Sequence, residues 1–363
     1  MKKYRNRPAL FDAYPSLIGK IPWLPLGTFP TPIKEMKKLG KVLGAPALYV
    51  KMEDRSGKAY GGNKVRKLEF SLADALDKNK RRIVTFGGVG SNHVIATTIY
   101  GNQLGLKTYA FLIPQPPSPF VARNIRAYSH YGTRMFFLKD KNEILKRGRE
   151  LSSLLMGGGY FLPPGGSNVH GVLGFVDCAF EIKRQIEDGK MPKPERIFVA
   201  AGSGGTLAGL MLGVKLAGLE TQIIGVRVAD KWLVNKFTIC ALANSTARYL
   251  RNKDKHNIPP VKISRDEVML DENFLGDGYG SVTDEAQKAM RLMERHEGIH
   301  LDSTYTGKAF AAFLDAVRKE PERVNLFLNT YNSVDIYSNL PTMCDMKVIP
   351  APMRRYVFDM DIW

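Results

Sequence analysis

Cysteine and long apolar runs are both scarce in this chain of 363 residues. The three cysteines, Cys178, Cys240 and Cys344, are widely spaced, and they form neither a disulfide framework nor a metal-ligand pattern. No stretch reaches the roughly 20 apolar residues that a membrane span needs. The basic N-terminal segment lacks the apolar core of a signal peptide. We therefore expect a protein of the reducing cytoplasm that has no membrane association.

Acidic residues are also in deficit, with 35 Asp and Glu against 53 Lys and Arg, so the formal net charge is +18. The basic residues are scattered, and the densest clusters, 78–82 and 251–255, are short. No helix-turn-helix, zinc-finger or aromatic RNA-binding pattern accompanies them. The charge balance therefore favours a solvated basic surface that attracts anionic small molecules over a surface that binds nucleic acid.

Short apolar segments alternate with longer amphipathic ones along the chain, which predicts an α/β protein with mainly parallel sheets covered by helices on both faces. We expect strands at 82–86, 108–112, 135–138, 196–200, 223–228 and 325–328. We expect helices at 64–78, 92–104, 172–187, 206–216, 284–296 and 307–319. The segment 231–273 is rich in Lys, Asn and Pro, and we expect it to be irregular.

A glycine-rich turn with the sequence Gly-Gly-Asn-Lys occupies residues 61–64, immediately before or at the start of a predicted helix. A lysine amine near a helix N terminus and other cations can lose its proton and act as a nucleophile or Schiff-base partner. The alternative is an ordinary basic first turn formed by Lys64, Arg66 and Lys67. Cations at a helix N terminus oppose the macrodipole, and a bound anion would remove that conflict.

Two further glycine-rich turns lead from predicted strands into helices, where α/β sheets bind their ligands. The first ends in Ser91, Asn92 and His93, and either Ser91 or Asn92 would cap the helix. His93 by itself is interpreted as a packed or hydrogen-bonded histidine. The second turn, 202–206, has the sequence Gly-Ser-Gly-Gly-Thr and neither a P-loop ending nor a dinucleotide spacing, so it predicts a cradle for one small phosphate, with a structural turn as the alternative.

Five segments follow one another in the order of a known family: GGNKVRKLE at 61–69, GSNH at 90–93, PGGSN at 164–168, AAGSGGTLAG at 200–209 and LDSTYTGK at 301–308. Together they resemble the 1-aminocyclopropane-1-carboxylate (ACC) deaminase and D-cysteine desulfhydrase family. These are pyridoxal 5'-phosphate (PLP) enzymes of the tryptophan-synthase-β-like group, fold type II. The resemblance implies two three-layer α/β/α lobes: a larger PLP-binding domain, 1–66 plus 181–363, and a smaller inserted domain, 67–180. It also implies a homodimer that acts on a small amino acid.

The resemblance assigns roles to individual residues. Lys64 matches the lysine that holds PLP covalently and removes the α-proton, and Asn63 or, by preference, Asn92 matches the contact to the ring hydroxyl. The phosphate contacts implied are Gly202, Ser203, Gly204, Gly205 and Thr206, with Lys67 as an extra contact. The substrate contacts implied are Ser91, Asn92, His93, Tyr279 and Tyr305, of which Ser91 and the two tyrosines would be catalytic beside Lys64. Ordinary burial stays the alternative for each tyrosine.

Two threonines bear on the choice of reaction. ACC deaminases resemble one another in having Glu and Leu where this chain has Thr306 and Thr330, and the threonines resemble the desulfhydrase branch, in which a hydroxyl faces the pyridine nitrogen. Opening a cyclopropane ring needs more carbanion stabilisation than loss of sulfide. We therefore expect α,β-elimination, with D-cysteine giving pyruvate, ammonia and hydrogen sulfide. The alternatives are an ACC deaminase, a β-replacement synthase or racemase, and an inactive PLP-fold protein with a nucleic-acid-binding surface.

One departure from the family follows Thr330, where two glycines are usual and this chain has Tyr331 and Asn332. A tyrosine adds a large side chain and removes backbone freedom beside the cofactor. Tyr331 is therefore expected either to narrow the pocket or to change the local backbone path and displace Thr330. The segment after Met343 is not assigned by the resemblance.

Overall fold

The computed structural model describes residues 7–140, 142–338, 340–341 and 345–358, except for the side chains of Ile144 and Phe358. The strands in this part of the chain are β1 (Ile33–Glu35), β2 (Leu48–Lys51), β3 (Arg82–Gly88), β4 (Lys107–Ile113), β5 (Arg134–Phe137), β6 (Gly159–Leu162), β7 (Arg196–Ala201), β8 (Gln222–Arg227), β9 (Met269–Asp271) and β10 (Asn325–Leu328). The larger sheet has the order β1-β2-β10-β7-β8-β9, and the smaller sheet has the order β5-β4-β3-β6. Neighbouring strands are parallel except β1 and β2, which are antiparallel.

Helices cover both sheets. They are α1 (Ala9–Ala13), α2 (Lys37–Leu43), α3 (Lys64–Asp77), α4 (Asn92–Gln103), α5 (Pro119–His130), α6 (Asn142–Lys146), α7 (Gly148–Met156), α8 (Val169–Glu187), α9 (Gly205–Ala217), α10 (Lys236–Lys253), α11 (Asp284–Glu297), α12 (Thr306–Lys319) and α13 (Arg355–Phe358). Each strand and helix that the apolar periodicity predicted is present, with small differences at the ends. Of the helices that the structure describes, none combines the length and hydropathy that crossing a membrane requires.

The central strand β7 shows why the larger sheet is buried on both faces. Its residues alternate between two cores: Ile197, Val199 and Ala201 pack with α8, α9 and α10, whereas Phe198 and Ala200 pack with α11 and α12. In the smaller sheet, residues on the two faces likewise belong to different clusters, one built with α4 and α5 and the other with α7. A parallel strand that is covered on both faces reads as a continuous apolar run. The predicted α/β architecture is thus confirmed.

The segment 231–273 was expected to be irregular, and that expectation is wrong. Helix α10 occupies much of it, and β9 adds an edge strand to the larger sheet. A capping box starts the helix, because the Asn235 side chain accepts the Thr238 N–H while the Thr238 hydroxyl accepts the Asn235 N–H. Ile239, Ala243 and Leu250 then bury one face of the helix in the core. Part of the Lys-rich and Asn-rich composition falls on α10, and the rest lies in the loops on either side of it.

A buried ionic network anchors helix α3 to helix α8 and strand β2. Arg66 donates to Glu53 at 2.7 Å and to Glu181 of α8 at 2.8 Å, and Lys51 of β2 donates to Glu181 at 2.6 Å. Burial raises the pKa of Glu181, but Arg66 and Lys51 outweigh burial and hold that pKa well below its ordinary value. The network ties α3, α8 and β2 together, and it therefore fixes the helix on which Lys64 lies.

The division into domains at 66/67 and 180/181 stays a prediction. Both boundaries fall inside helices, α3 and α8, and α8 shares its core with α9 of the larger sheet. The C-terminal segment belongs with the smaller sheet, since Ile336, Ile349 and Met353 join its core and α13 packs on α5. Cys178 and Cys240 are free and buried. Cys344 and Met343 lie outside the described residues.

Candidate active site

A cavity of about 380 Å³ lies where the C-terminal ends of β3, β7, β8 and β10 meet the loop before α3. Ligand sites of α/β proteins lie at this edge of a sheet, because helix N termini and loops converge there. Most of the residues predicted for the site line this cavity: Asn63, Lys64, Ser91, Asn92, His93, Gly202, Ser203, Gly204, Thr206, Tyr279, Tyr305 and Thr330. Lys67, Gly205 and Thr306 lie behind its wall.

Lys64 is the first residue of α3 and its side chain lines the cavity. The loop before it needs glycine at Gly62, where φ is +84° and a Cβ would lie 2.7 Å from the Tyr331 carbonyl oxygen. Burial lowers the pKa of Lys64 to about 8, although the nearby Asp302 carboxylate favours the charged form. A substantial fraction of the amine is therefore neutral near pH 8, which is the form that acts as a nucleophile or base.

The N terminus of α9 forms a polar cradle. Ser167 Oγ lies at its centre, accepting from the Gly205 N–H at 3.2 Å and from Lys67 Nζ at 3.3 Å, and it lies 2.8 Å from Ser203 Oγ. A Cβ on Gly205 would lie 2.5 Å from Ser167 Oγ, so a larger residue would fill the cradle. These donors at a helix N terminus fit a small anion such as a phosphate group.

Lys67 supplies a further reason to expect an anion at the cradle. Its side chain is buried, and burial together with the nearby charge of Lys64 lowers its pKa well below the ordinary range. Two ammonium groups next to a helix N terminus disfavour each other and oppose the macrodipole. A bound phosphate would neutralise this local excess of positive charge. The residues present therefore fit the 5'-phosphate of PLP.

The loop before α4 is held from behind by α5 and the loop before α3. Asn124 Nδ2 donates to the Gly90 carbonyl oxygen at 2.8 Å, and the Tyr128 hydroxyl donates to the Ser91 carbonyl oxygen at 2.8 Å. The Tyr60 hydroxyl donates to Asn92 Oδ1 at 3.0 Å. First-turn N–H groups of a helix have no intrahelical partner, so α4 presents donors to the cavity. This arrangement can bind a carboxylate.

His93 lies in the cavity wall as a hydrogen-bonded histidine. Its Nε2 is 3.0 Å from Thr85 Oγ1, and its Nδ1 is 3.5 Å from Thr97 Oγ1. Burial lowers the pKa of His93 well below its usual range, and the charges of Lys64 and Lys67 lower it further. The ring is therefore neutral at physiological pH, and it can contact a substrate without providing a positive charge.

Tyr279 and Tyr305 come together although they lie 26 residues apart, with their hydroxyl oxygens 2.5 Å from each other and both rings on the cavity wall. Burial raises the pKa of both phenols, and for Tyr305 the neighbouring Tyr279 raises it further. Both hydroxyls therefore stay protonated at neutral pH. A pair of this kind can donate a proton to a group that develops negative charge.

The structure does not bring Thr306 into the cavity wall. Its hydroxyl donates to Asp302 Oδ1 at 2.6 Å, and the side chain is buried at the start of α12. The contact between Thr306 and the pyridine nitrogen therefore stays a prediction, and the Thr306 hydroxyl would have to leave Asp302 to make it. Thr330 does line the cavity, and its carbonyl oxygen accepts the Asn63 N–H at 3.3 Å. Asn63 Nδ2 donates to Thr206 Oγ1 at 3.1 Å.

Sequence reasoning missed Asp302, which lines the cavity and is the carboxylate that acts on Lys64. Its side chain accepts the N–H groups of Thr304 and Tyr305 at 3.0 and 2.8 Å, so it caps the turn before α12. An aspartate a few residues before a predicted helix is the signal that could have drawn attention to it. The cap fixes the carboxylate in place, and it therefore acts on the site as a fixed charge.

Tyr331 and Asn332, the departure from the family, both line the cavity without displacing Thr330 from it. Asn332 Oδ1 accepts the Gly61 N–H at 2.6 Å, which binds this segment to the loop before α3. Burial raises the pKa of Tyr331, so its hydroxyl stays protonated. Of the two expected outcomes, the structure therefore favours a narrower pocket over a displaced Thr330.

A lysine with a lowered pKa and a phosphate cradle, both facing one cavity between two parallel sheets, define the class of enzymes that bind PLP through a lysine. The family model for pyridoxal-phosphate dependent enzymes matches residues 24–328. A putative ACC deaminase of Pyrococcus horikoshii is 34% identical over 321 residues, which cover 87% of this chain and 93% of that protein. D-cysteine desulfhydrase of Klebsiella pneumoniae subsp. pneumoniae is 31% identical over 336 residues, which cover 89% of this chain and 98% of that protein.

A solved structure agrees with these sequence comparisons. The crystal structure of an ACC deaminase homologue superposes with a TM-score of 0.75 at 30% identity, covering 92% of this chain and 97% of that one. This chain belongs to the family of pyridoxal-phosphate dependent enzymes that contains the ACC deaminases and D-cysteine desulfhydrases. The predicted family, fold type II, enzymatic character and PLP cofactor are thus confirmed. Enzymes of this family act on small amino acids.

Proposed function

We propose that this protein is a D-cysteine desulfhydrase that converts D-cysteine and water into pyruvate, ammonia and hydrogen sulfide. The observation that carries the proposal is Thr330, which lines the cavity where the ACC deaminases have a leucine. Thr306, which stands where they have a glutamate, agrees with it by its position in the sequence. Thr330 is a small polar residue in the cavity lining. Beside Asp302 the chain has the hydroxyl of Thr306 and no additional carboxylate at that position. Loss of sulfide, which is a stable leaving group, demands less charge delocalisation than opening a carbon ring does.

Each part of the cavity has a task in this reaction. PLP, when bound, supplies the electron sink that makes the α-proton of the substrate acidic. The N terminus of α9, with Ser203, Thr206 and Lys67, would hold its phosphate, and Lys64 would hold the cofactor covalently. The N–H groups at the start of α4 bind the substrate carboxylate and thereby orient the α-proton towards Lys64 Nζ.

Proton transfers follow from the protonation states in the cavity. The neutral Lys64 amine accepts the α-proton, which suits a group whose pKa is about 8. The protonated pair of Tyr279 and Tyr305 donates towards the sulfur as the C–S bond breaks and the electron pair leaves with sulfide. Asp302 stabilises the ammonium form of Lys64 after the transfer. These roles keep Lys64, Tyr279 and Tyr305 as catalytic residues and add Asp302 as a charge that tunes Lys64. The catalytic role of Ser91, which lines the same cavity, stays a prediction.

ACC deamination is the second candidate, favoured by the name of the Pyrococcus horikoshii relative and by the ACC deaminase homologue of similar structure. The experiment that separates the two offers purified holoenzyme D-cysteine, L-cysteine and ACC in parallel. Sulfide and pyruvate from D-cysteine are expected. Release of 2-oxobutanoate from ACC, with no sulfide from D-cysteine, would replace the desulfhydrase proposal by the deaminase.

Lys64→Ala is the control that ties either activity to this cavity. We expect turnover to fall by at least about 10³-fold, because the base and covalent anchor are lost together. Lys80→Ala, at a half-buried lysine just after α3 that does not line the cavity, should leave turnover unchanged. Normal turnover in the Lys64 variant would overturn the site assignment. A homodimer and a cytoplasmic location are further proposals from the family resemblance, and light scattering of the purified protein tests the first.

A further inference from the structure

The cavity has a polar interior and an apolar outer end. Lys64, Ser91 and Thr206 are buried or half-buried within it. Phe161 and Trp232 also line it, yet 47% and 56% of their surfaces are exposed, which places them at the opening. Large exposed apolar side chains at the mouth of a cavity mark a surface that a ligand covers. We give the name aromatic rim to these two residues together with three half-buried apolar residues of the same cavity lining, Phe86, Ile113 and Leu233.

Both sheets contribute to the aromatic rim. Phe86 at the end of β3 and Phe161 of β6 meet edge to face with ring centroids 6.0 Å apart, and Ile113 ends the neighbouring strand β4. Trp232 and Leu233 follow β8 of the larger sheet. A group that extends outwards from the interior therefore passes between aromatic side chains from two sides. Such walls bind a flat or bulky apolar group, since its burial removes apolar surface from water on both sides.

Free cysteine is too short to use the aromatic rim. Its α-carbon has to lie within reach of Lys64 Nζ, which is in the interior, and its side chain extends by only one methylene and a thiol. With cysteine bound, Phe161 and Trp232 would remain exposed to water. A further substituent on the sulfur lengthens the substrate in the outward direction, towards Phe161 and Trp232.

The charge at the rim restricts this substituent. Asp230 lines the cavity beside Trp232, whose indole Nε1 donates to Asp230 Oδ2 at 3.1 Å. An acidic side chain at this position disfavours a second carboxylate on the substrate. Asp230 therefore argues against an acidic substituent, and the apolar side chains of the rim argue for an apolar one.

We propose that the aromatic rim binds the S-substituent of a cysteine thioether, so that S-alkyl and S-arylalkyl cysteines are the preferred substrate class. The inference rests on the proposed β-elimination. In this reaction the bond between the β-carbon and sulfur breaks, its electron pair leaves with the thiolate, and the thiolate takes up a proton to give the free thiol. One water is consumed, and the products are the thiol, pyruvate and ammonia. No oxidant or reductant is needed.

The test compares D-cysteine, S-methyl-D-cysteine and S-benzyl-D-cysteine as substrates of the holoenzyme, with pyruvate as the common product. The two thioethers release alkyl thiols of similar chemistry, so their difference reports binding of the substituent. We expect kcat/KM for the benzyl compound to exceed that for the methyl compound by at least about tenfold, the scale of a modest apolar group in a pocket. Trp232→Ala and Phe161→Ala should each remove most of this preference, measured in each variant as the ratio of kcat/KM for the benzyl compound to kcat/KM for the methyl compound.

Phe237→Ala is the matched control. Phe237 is 61% exposed and follows the same loop as Trp232, but it does not line the cavity. Its replacement should leave the preference for the benzyl compound unchanged. Loss of the preference in this variant would show that general surface hydrophobicity, rather than the aromatic rim, is responsible.

The outcomes separate this inference from the proposed function. Sulfide from D-cysteine with no preference for the benzyl over the methyl compound overturns the inference and leaves the desulfhydrase proposal intact. A benzyl preference that survives both rim variants overturns the assignment to Phe161 and Trp232. If no compound yields pyruvate, the elimination proposal fails, and calorimetric binding of the two thioethers then decides the inference. If the wild-type protein binds the benzyl and methyl compounds with equal affinity, the inference is overturned. If it binds the benzyl compound more tightly and Trp232→Ala abolishes that difference, the assignment of the aromatic rim is supported.

Discussion

Replacing Asp302 with asparagine tests how the cavity sets the protonation of Lys64. The pKa of this amine is about 8, compared with an ordinary value of 10.5. At pH 7.5 about a quarter of the amine is neutral, against about one part in a thousand for an ordinary lysine, so burial makes the reactive form roughly 200-fold more abundant. Asp302 acts in the opposite direction, because its negative charge stabilises the ammonium form. Asp302→Asn should therefore move the pKa of Lys64 to below 8.

The assay is the rate at which apoprotein captures PLP covalently, measured between pH 6 and 10 and trapped with borohydride, with the modified residue mapped to Lys64. The rate should rise through about pH 8 in the wild type and at lower pH in the variant. PLP itself titrates in the same way in both experiments. A difference between the pH midpoints of the wild type and of Asp302→Asn therefore reports a change in the pKa of Lys64. Asp315→Asn, on the helix α12 that follows Asp302 but paired with Lys319, should leave the midpoint unchanged. A wild-type midpoint near 10, or an Asp302→Asn midpoint that is unmoved or higher, would refute the reasoning.

Three further substitutions probe the surroundings of the cavity. Tyr337→Phe removes the hydroxyl that donates to Asn124 Oδ1 at 2.6 Å, and because Asn124 holds the loop before α4, KM should rise about threefold to tenfold with a smaller change in kcat. His93→Gln should leave the acidic limb of the pH profile of kcat/KM unchanged, since the lowered pKa keeps the imidazole neutral above pH 6.5. Arg66→Met leaves two buried glutamates without their main partner, and chemical unfolding should show a loss of about 3–5 kcal/mol.

Each of these substitutions has a control or a contrary outcome. Tyr356→Phe, in the same C-terminal segment and core, should leave KM unchanged, and an equal effect there would show that the segment acts only through stability. If the kcat/KM profile of the wild type shows a titration near pH 6 that is missing from the profile of His93→Gln, the His93 ring is charged in the working enzyme. Arg323→Met breaks an exposed ion pair, and it should cost less than about 1 kcal/mol.

Local sequence patterns were sufficient to predict six of the ten strands and six of the thirteen helices in the described part of the chain, together with the loops that carry Lys64, Ser91 and Gly202–Thr206. Apolar periodicity and glycine-rich turns are properties of neighbouring residues, so they can be read without knowing the fold. The ordered motifs then identified the family, and the comparisons confirmed it. Helix α10 was missed because the segment 231–273 was judged by its Lys-rich and Asn-rich composition, although the capping pair Asn235 and Thr238 was a readable signal.

Contacts between distant segments were decided by the tertiary structure alone. Thr306 turns its hydroxyl to Asp302 instead of the cavity, a choice that depends on the cap geometry of α12. The aromatic rim joins Phe161 to Trp232 from different sheets, and Tyr337 reaches Asn124 across 213 residues of chain. Periodicity records which face of an element is buried and not which partner buries it. The amino-acid sequence therefore determined the elements and the chemistry of the site, whereas the packing of the two sheets determined its fixed charges, its opening and the supports of its loops.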